Sequence, residues 1–253
     1  MSMYEICFSP TGGTQKCAEL LTRSLSEQFQ TIDLTDPHHN FEQDTLTAED
    51  IAVIAVPSYG GRVPSVATER LTKIRANGAR AVLLCVYGNR AYEDTLVELQ
   101  DSAEQAGFQV IAAVAAIAEH SIARQYAAGR PDAQDAAKLK EFAAEIRDKL
   151  EDKNTEKPSI PGNRPYKKEG AGGMVPKPTK DCTRCGVCAE KCPVQAIDKA
   201  TPKEVDSKKC ISCMRCIAVC PHSARKLNSV MLSTVGLALK KVCSDRKEPE
   251  LYL

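Results

Sequence analysis

The chain has 253 residues, of which 43% are hydrophobic and 26% charged, and its formal net charge is +1. This length and apolar content suit one large domain or two smaller ones. The longest apolar runs, IAVIAV and VIAAVAAIA, are far too short to cross a bilayer. The first residues show no basic region followed by a sustained apolar run, so no signal peptide is indicated. We therefore expect a cytoplasmic protein with no membrane span and no nucleic-acid partner.

The net charge hides an asymmetry along the chain. Residues 1–150 hold 14 Lys and Arg against 21 Asp and Glu, whereas residues 177–228 hold 11 against 5. The first balance is −7 and the second is +6. Opposite balances predict two domains that attract each other, although two solvated surfaces of different bias would give the same counts.

Short apolar runs alternate with helical patterns in the first part of the chain. The runs are β-branched or continuously apolar, as is typical of strands buried on both faces of a parallel sheet. They are YEICF (4–8), QTIDL (30–34), IAVIAV (51–56), AVLLCVY (81–87) and FQVIAAVAAI (108–117), with helical patterns at 14–28, 64–76, 91–106 and 132–152. This alternation predicts an α/β fold with a central parallel sheet.

The composition then divides the rest of the chain. We predict an N-terminal domain at 1–152, a linker at 153–177, a cysteine module at 178–228, and a C-terminal helix and tail at 229–253. Most residues of the linker are Pro, Gly or polar. This composition favours an extended segment that wraps one domain. The last segment, NSVMLSTVGLALKKVCS, has the pattern of an amphipathic helix packed on one of the domains.

Eight of the twelve cysteines lie in two copies of one spacing, C-x2-C-x2-C-x3-C-P, at 182–193 and 210–221. Thiols stay reduced in the cytoplasm, so clustered cysteines there favour metal binding over disulfides. Zinc is the competing interpretation, but zinc sites usually use two CxxC pairs at a distance. Three thiolates at this short spacing suit three corners of an iron–sulfur cubane.

The module resembles the two-cluster bacterial ferredoxins, with both motifs complete, which implies a small α+β ferredoxin-like fold and two 4Fe-4S clusters. In that pattern the fourth cysteine of each motif binds the other cluster. The resemblance implies two ligand sets: Cys182, Cys185, Cys188 and Cys220 for one cluster, and Cys210, Cys213, Cys216 and Cys192 for the other. Of the remaining cysteines, Cys7 and Cys85 fall in predicted strands and are most simply small buried hydrophobes.

The loop SPTGGT connects the first predicted strand to the first predicted helix. A glycine-rich turn that enters a helix leaves backbone N–H groups free to bind a phosphate, and Ser9, Thr11 and Thr14 add hydroxyls. The loop is not a Walker A sequence, and no G-x-G-x-x-G dinucleotide fingerprint occurs in the chain. An uncharged cradle of amides and hydroxyls suits a single terminal phosphate.

This loop resembles the phosphate loop of flavodoxins, and PSYGG (57–61) and YGNRAYED (87–94) resemble their two ring-binding loops. The resemblance covers about residues 1–150. It implies a doubly wound, five-stranded parallel sheet of order 2-1-3-4-5 that binds FMN, with Tyr59 and Tyr92 as candidates to stack on the flavin. The implied FMN residues are Ser9, Thr11, Gly12, Gly13, Thr14, Pro57, Ser58, Tyr59, Gly60, Gly61, Tyr87, Gly88, Asn89, Arg90 and Tyr92.

Other interpretations of these side chains stay open. Tyr59 and Tyr92 are also compatible with ordinary surface aromatics. Glu119, His120 and Ser121 follow the fifth strand and are placed to face the same site, but a solvated loop histidine is the simpler account of His120. His38 and His39 lie in a polar loop and are interpreted as solvated.

Taken whole, the chain resembles the flavodoxin–ferredoxin fusion proteins of anaerobic bacteria and archaea. The resemblance implies an electron-transfer flavoprotein that relays electrons between two 4Fe-4S clusters and FMN and exchanges them with redox partner proteins. Two alternatives remain: an FMN-dependent reductase of a small molecule fed by its own ferredoxin domain, and an iron–sulfur regulatory or scaffold module without flavin. No catalytic acid or base stands out, so the sequence does not decide whether the protein is an enzyme.

Overall fold

The computed structural model describes residues 1–152, 156–168, 170 and 173–253. The main sheet contains β1 (Met3–Cys7), β2 (Gln30–Asp33), β3 (Ile51–Pro57), β4 (Arg80–Tyr87) and β5 (Gln109–Ile117), joined by α1 (Gly13–Leu25), α2 (Ser65–Leu71) and α3 (Thr95–Gln105), with α4 (Ala133–Glu151) after the last of them. The predicted strands and helices are all present. The second helix is much shorter than predicted and ends at Leu71.

These five strands pair in parallel in the order β2-β1-β3-β4-β5. Apolar side chains of α1 and α4 pack on one face of the sheet, among them Leu21 and Phe142. Side chains of α2 and α3 pack on the other face, among them Leu71 and Leu96. Helices on both faces explain why β3 to β5 are apolar almost throughout. The strand order is the flavodoxin-like one, as predicted.

A sixth strand, formed by the end of the chain, corrects the prediction of a five-stranded, wholly parallel sheet. Residues Glu250–Tyr252 pair antiparallel with β5, opposite Ala113–Ala115. The pairing satisfies backbone groups that an edge strand otherwise presents to solvent. Three residues are too short to show a strand pattern in the sequence, so only the folded chain reveals this strand.

The cysteine module forms a small α+β unit. It contains β6 (Lys177–Pro178), α5 (Val187–Glu190), α6 (Arg215–Ala218) and β7 (Arg225–Lys226), and the new edge strand of the main sheet is therefore β8. The strands β6 and β7 pair antiparallel. Between the module and β8 lies α7 (Ser229–Cys243), which Asn228 caps by accepting hydrogen bonds from the amides of Val230 and Met231. Within the described ranges no helix has the length and apolarity to cross a membrane.

The linker between these units lies along α3. Asp94, just before α3, accepts hydrogen bonds from the amides of Asn163 (2.9 Å) and Lys167 (2.7 Å). Asp101 pairs with Arg164 at 2.6 Å, and Ile160 packs on the core. This agrees with the prediction of a segment that wraps one domain, although its residues 153–155, 169, 171 and 172 lie outside the described residues.

Candidate functional site

The loops that follow β1, β3, β4 and β5 meet at one edge of the sheet and enclose a cavity. Parallel strands place all their carboxyl ends at this edge, which is where open α/β sheets bind ligands. At the end next to α1, the cavity is lined by Pro10, Thr11, Gly13, Thr14, Pro57, Ser58, Tyr59, Val86, Tyr87, Gly88, Ala118, Glu119 and Ser121. The structure thus brings the predicted phosphate loop against both predicted ring loops.

The phosphate loop has the geometry of an anion cradle. Gly12 adopts a left-handed conformation (φ 88°) and is the N-cap residue of α1, which begins at Gly13. Because glycine has no side chain, the N-cap residue makes no side-chain hydrogen bond to the first amides of the helix. Ser9 serves the loop itself, because its hydroxyl accepts a hydrogen bond from the amide of Gln15 at 2.9 Å. The first amides of a helix carry the positive end of its dipole. Thr11 and Thr14 line the cavity beside them.

A second pocket shares Ser58, Tyr59, Tyr87, Gly88 and Ser121 with the first and forms the larger end of the cavity. Its volume of about 460 Å³ is within the range of small-molecule sites. Tyr59, Gly60, Gly88, Arg90 and His120 line it from the sheet side. The opposite wall comes from distant parts of the chain: Gly170 and Met174 of the linker, Ile211 and Ser212 of the cysteine module, and Val235 and Leu239 of α7. Six separate segments of sequence therefore build one site, three loops of the sheet and three distant parts of the chain.

His120 lines the sheet side of the cavity and is not the solvated loop residue that the sequence favours. Its Nδ1 accepts hydrogen bonds from the amides of Ile122 and Ala123, both at 3.1 Å. Burial lowers the pKa of His120, and the neighbouring Arg90 lowers it further. An accepting Nδ1 leaves the proton of the neutral ring on Nε2. A Cβ on Gly88 would lie 2.7 Å from the imidazole Cδ2, so only glycine lets this loop approach the ring so closely.

Ten of the predicted FMN residues line the cavity and five do not. Those that line it are Thr11, Gly13, Thr14, Pro57, Ser58, Tyr59, Gly60, Tyr87, Gly88 and Arg90. Ser9, Gly12, Gly61, Asn89 and Tyr92 lie outside its lining. Asn89 donates to the carbonyl oxygens of Cys243 and Asp245, both at 2.8 Å. The Tyr92 hydroxyl lies 2.6 Å from that of Tyr252 in β8, and stacking of the Tyr92 ring on a flavin stays a prediction.

The two cysteine motifs repeat in backbone conformation as well as in sequence. Positive φ angles occur at Arg184, Gly186 and Gln195, and again 28 residues later at Ser212, Met214 and Ser223. Gly186 and Met214 each precede a four-residue helix, α5 and α6. Left-handed backbone at a non-glycine residue is uncommon. Its recurrence at the same offset identifies one structural unit present twice.

The repeat brings the cysteines together in two crossed groups. Cys182, Cys185, Cys188 and Cys220 line one small cavity. In the other group, burial raises the pKa of Cys213 to about 12, and the nearby thiols of Cys192 and Cys210 add to the shift. The two fourth cysteines, Cys192 and Cys220, each accept a hydrogen bond at sulfur from the amide four residues further on, at 3.3 and 3.2 Å.

Among the described residues, no three His, Cys, Asp or Glu side chains stand close enough together to hold one metal ion. A cubane places a different thiolate on each of its four iron atoms, which requires a wider arrangement than a single ion does. Each crossed group brings four thiols together, the number of thiolates that a cubane needs.

The cysteine module contacts the sheet beside the cavity. Arg215 at the start of α6 donates to the carbonyl oxygens of Pro10 and Ser9, at 3.2 and 3.4 Å, in the phosphate loop. Arg70 of α2 donates to the carbonyl oxygen of Pro193 at 2.6 Å. Burial raises the pKa of Tyr59, and the neighbouring Cys213 adds to the rise. Both motifs therefore contact the sheet domain, the first through Pro193 and the second through Arg215, and Cys213 of the second motif lies beside Tyr59 of the cavity.

Comparison with known proteins identifies the module. Residues 180–224 match the family model described as a 4Fe-4S dicluster domain. Trichloroethene reductive dehalogenase from Dehalococcoides mccartyi is 38% identical over 63 residues, an alignment that covers 19% of this chain and 11% of that protein. This chain thus spans only a small part of that relative's length.

Solved structures similar to this chain include a flavodiiron core and a flavodoxin. One is the flavodiiron core from Synechocystis, with a TM-score of 0.42, 16% identity, and coverage of 61% of this chain and 37% of that chain. The other is the flavodoxin of Megasphaera elsdenii, with a TM-score of 0.40, 18% identity, and coverage of 56% and 98%. By its own strand order and its dicluster match, the chain joins a flavodoxin-like fold to an iron–sulfur domain.

Proposed function

We propose that this protein is an electron-transfer flavoprotein that relays electrons between two 4Fe-4S clusters and FMN within one chain. The observation that carries the proposal is the position of Ile211 and Ser212. They lie between the cysteines Cys210 and Cys213 in sequence and line the same cavity as Tyr59. When bound, the clusters would pass single electrons, and FMN would accept one or two.

The cavity fits FMN at both of its ends. The start of α1, with Thr11 and Thr14, offers amides and hydroxyls to a terminal phosphate. The larger end offers an aromatic side chain, Tyr59, and polar groups from Arg90 and His120 to a flat ring. A further indication is the Ser212 hydroxyl, which is buried and has no hydrogen-bond partner. A buried polar atom of this kind normally has a partner, and a ring atom of FMN would supply one.

The phosphate end gives the sharpest test of FMN binding. Thr11→Ala or Thr14→Ala removes a hydroxyl donor to a charged phosphate, which costs roughly 1.5–3 kcal/mol and weakens FMN binding about ten- to hundredfold. Ser24→Ala, at the other end of α1, is the matched control and leaves the affinity unchanged. Riboflavin lacks the phosphate, so it binds poorly and is insensitive to all three variants. If the unaltered protein bound FMN and riboflavin equally well, the proposal that the loop binds the phosphate would be wrong.

The crossed cysteine groups support one cluster in each, held as the ferredoxin pattern implies. Cys192→Ala is expected to damage the cluster of Cys210, Cys213 and Cys216, and Cys220→Ala the cluster of the first motif. Iron analysis and electron paramagnetic resonance of each variant measure this. If each variant lost only the cluster of its own motif, the crossed assignment would be wrong.

We also propose the division into 1–152, 153–177, 178–228 and 229–253 as functional units, with the relay inside one molecule. Electrons loaded on the clusters by rapid mixing then reach the flavin at a rate that does not change with protein concentration. A rate that rises in proportion to concentration means transfer between molecules, and the relay within one chain fails. Limited proteolysis tests the boundaries, since exposed linkers are cut first.

His120 favours one second candidate, an FMN-dependent reductase. Its geometry holds a proton on Nε2 of a ring that lines the cavity, and such a group is suited to proton transfer. Reduced protein mixed with small electron acceptors separates the two functions. A reductase shows saturable turnover that His120→Ala abolishes, whereas a relay shows no saturable acceptor and keeps its flavin reduction rate in that variant.

A further inference from the structure

The two cysteine motifs differ in where the fold places them, although they share one spacing. Ile211 and Ser212 of the second motif line the large cavity, and Arg215 in the same motif contacts the phosphate loop. In the first motif the matching positions, 28 residues earlier, are Thr183 and Arg184. Both are exposed and line only the small cavity among the first group of cysteines. The segment between the first two cysteines therefore faces the sheet in the second motif and solvent in the first, whose last residue, Pro193, still accepts a hydrogen bond from Arg70.

The solvent-facing motif also carries an exposed positive surface. Cys185 is exposed, and Arg184 beside it and His222 line the same small cavity. The Lys199 side chain lies over Gly186, where its Cγ would be 3.5 Å from an added Cβ. Charges of one sign around an exposed redox site raise the encounter rate with partners of the opposite sign.

We infer that the two clusters have fixed and different roles: the cluster of the second motif faces FMN, and the cluster of the first motif receives electrons from an acidic carrier protein that docks on the surface formed by Arg184 and Lys199. The inference rests on the proposed function and adds the direction of the relay and the chemistry of the partner. Each encounter oxidises the reduced carrier by one electron and reduces this protein by one. Two encounters and two protons complete the reduction of FMN.

The flavin-facing role is tested by exchanging residues between the motifs. Ser212→Arg places a long charged side chain in the cavity, so FMN binding to the protein is expected to weaken by on the order of tenfold or more, because overpacking a formed site is unfavourable. Arg184→Ser makes the converse change at the matching position and leaves FMN binding unchanged. Iron content must remain full in both variants. If Ser212→Arg loses iron, Ser212→Asn replaces it, since asparagine adds bulk without charge and tolerates the left-handed backbone at this position (φ 53°).

The solvent-facing role is tested with a reduced acidic bacterial ferredoxin as the probe. Reversing the charge of Arg184 and Lys199 to Glu is expected to slow electron uptake by on the order of tenfold at low salt. Reduction by the methyl viologen radical cation is not slowed. The matched control reverses Lys140 and Arg147 on α4, which are also exposed, and changes neither rate.

Three results would overturn the inference. They are unchanged FMN affinity in Ser212→Arg, lost FMN affinity in Arg184→Ser, and equal slowing of ferredoxin oxidation by the two charge-reversal pairs. Failure of the proposed function looks different, because the unaltered protein would then bind no FMN. The order of the clusters and the existence of the relay are thus tested separately.

Discussion

At the scale of single residues, Arg225 is the clearest departure from the twofold repeat of the cysteine module. It is 2% exposed, lines the first cysteine cavity, and donates to the carbonyl oxygen of Pro176 at 3.3 Å, while its Nε has no partner. The matching residue of the first motif is Ile197. Burying a charge is costly unless an opposite charge is near, and a reduced, thiolate-bound cluster would supply one.

We expect Arg225→Met to lower the reduction potential of at least one cluster, because a fixed positive charge favours the added electron. A charge-assisted interaction of roughly 1.5–3 kcal/mol corresponds to about 65–130 mV for one electron. Lys226→Met is the control, since its side chain is exposed and its charge is screened. Redox titration followed by electron paramagnetic resonance measures both variants. Equal shifts in the two would show that burial of Arg225 does not matter.

Glu5 in β1 gives a pH-dependent prediction. It is 1% exposed, and burial raises the pKa of its carboxyl. Above about pH 4.5 the unfolded chain has lost this proton while the folded protein retains it, so the free energy of unfolding falls as the pH rises toward the raised pKa. Glu5→Gln is expected to remove this fall, as measured by urea unfolding at several pH values. Glu27→Gln, at an exposed position, should keep it, and a fall that persists in Glu5→Gln would assign it to another group.

At the scale of elements, the linker and the C-terminal tail make specific contacts with the helices and strands. The linker fills the surface of α3, and the tail ends as the edge strand β8. Arg246 in the tail pairs with Asp132 at 2.7 Å, and Arg130 donates to the carbonyl oxygen of Lys247 at 2.7 Å. Asp132 caps α4 by accepting from the amides of Gln134 and Asp135. The tail therefore stabilises the same helix start that Asp132 caps.

Two glycines of the linker allow the cost of backbone strain to be measured separately from the cost of overpacking. Gly162 and Gly173 both have left-handed φ angles, 146° and 138°. An added Cβ at Gly162 would lie 2.9 Å from Val97 Cβ, whereas Gly173 has no atom within 4 Å. Both changes to Ala carry a conformational cost of about 1 kcal/mol, but Gly162→Ala adds roughly 1–3 kcal/mol of overpacking. Urea unfolding gives the difference. Equal losses would mean that the linker moves aside without cost.

At the scale of the whole molecule, the contact between the module and the sheet uses arginine and carbonyl groups. Arg70 and Arg215 donate to main-chain oxygens. Among the described residues, no ion pair within 4.0 Å links residues 178–228 to residues 1–152. The charge asymmetry predicts attraction between the two parts, and this stays a prediction, whereas the observed contacts are hydrogen bonds from arginine to neutral acceptors.

The contact is therefore expected to survive high salt. In about 1 M NaCl the Debye length falls to roughly 3 Å, yet small-angle scattering should keep a radius of gyration of about 18 Å, as for a compact chain of this length. Arg70→Ala combined with Arg215→Ala should raise it by several ångströms. Arg23→Ala with Arg75→Ala, at exposed positions, serves as the control. Expansion of the unaltered protein in salt would show that long-range charge holds the parts together.

The sequence by itself determined the features that depend on neighbouring residues. Alternating apolar runs and helical patterns specify the strands and helices, the spacing at 182–193 and 210–221 specifies the cysteine repeat, and SPTGGT specifies a turn into α1. Each depends on backbone and side-chain geometry within a few residues. Local chemistry was therefore enough to predict the fold class and most of the cavity's sheet side.

The tertiary structure alone decided which distant residues share the site. Ser212, Val235 and Met174 reach the cavity from three segments that carry no signal for it. The Tyr92 hydroxyl lies beside that of Tyr252 in β8, and His120 is half-buried by loops that meet only in the folded chain. Such contacts arise from packing between elements far apart in sequence, and no pattern within one element encodes which of its exposed residues another element will cover.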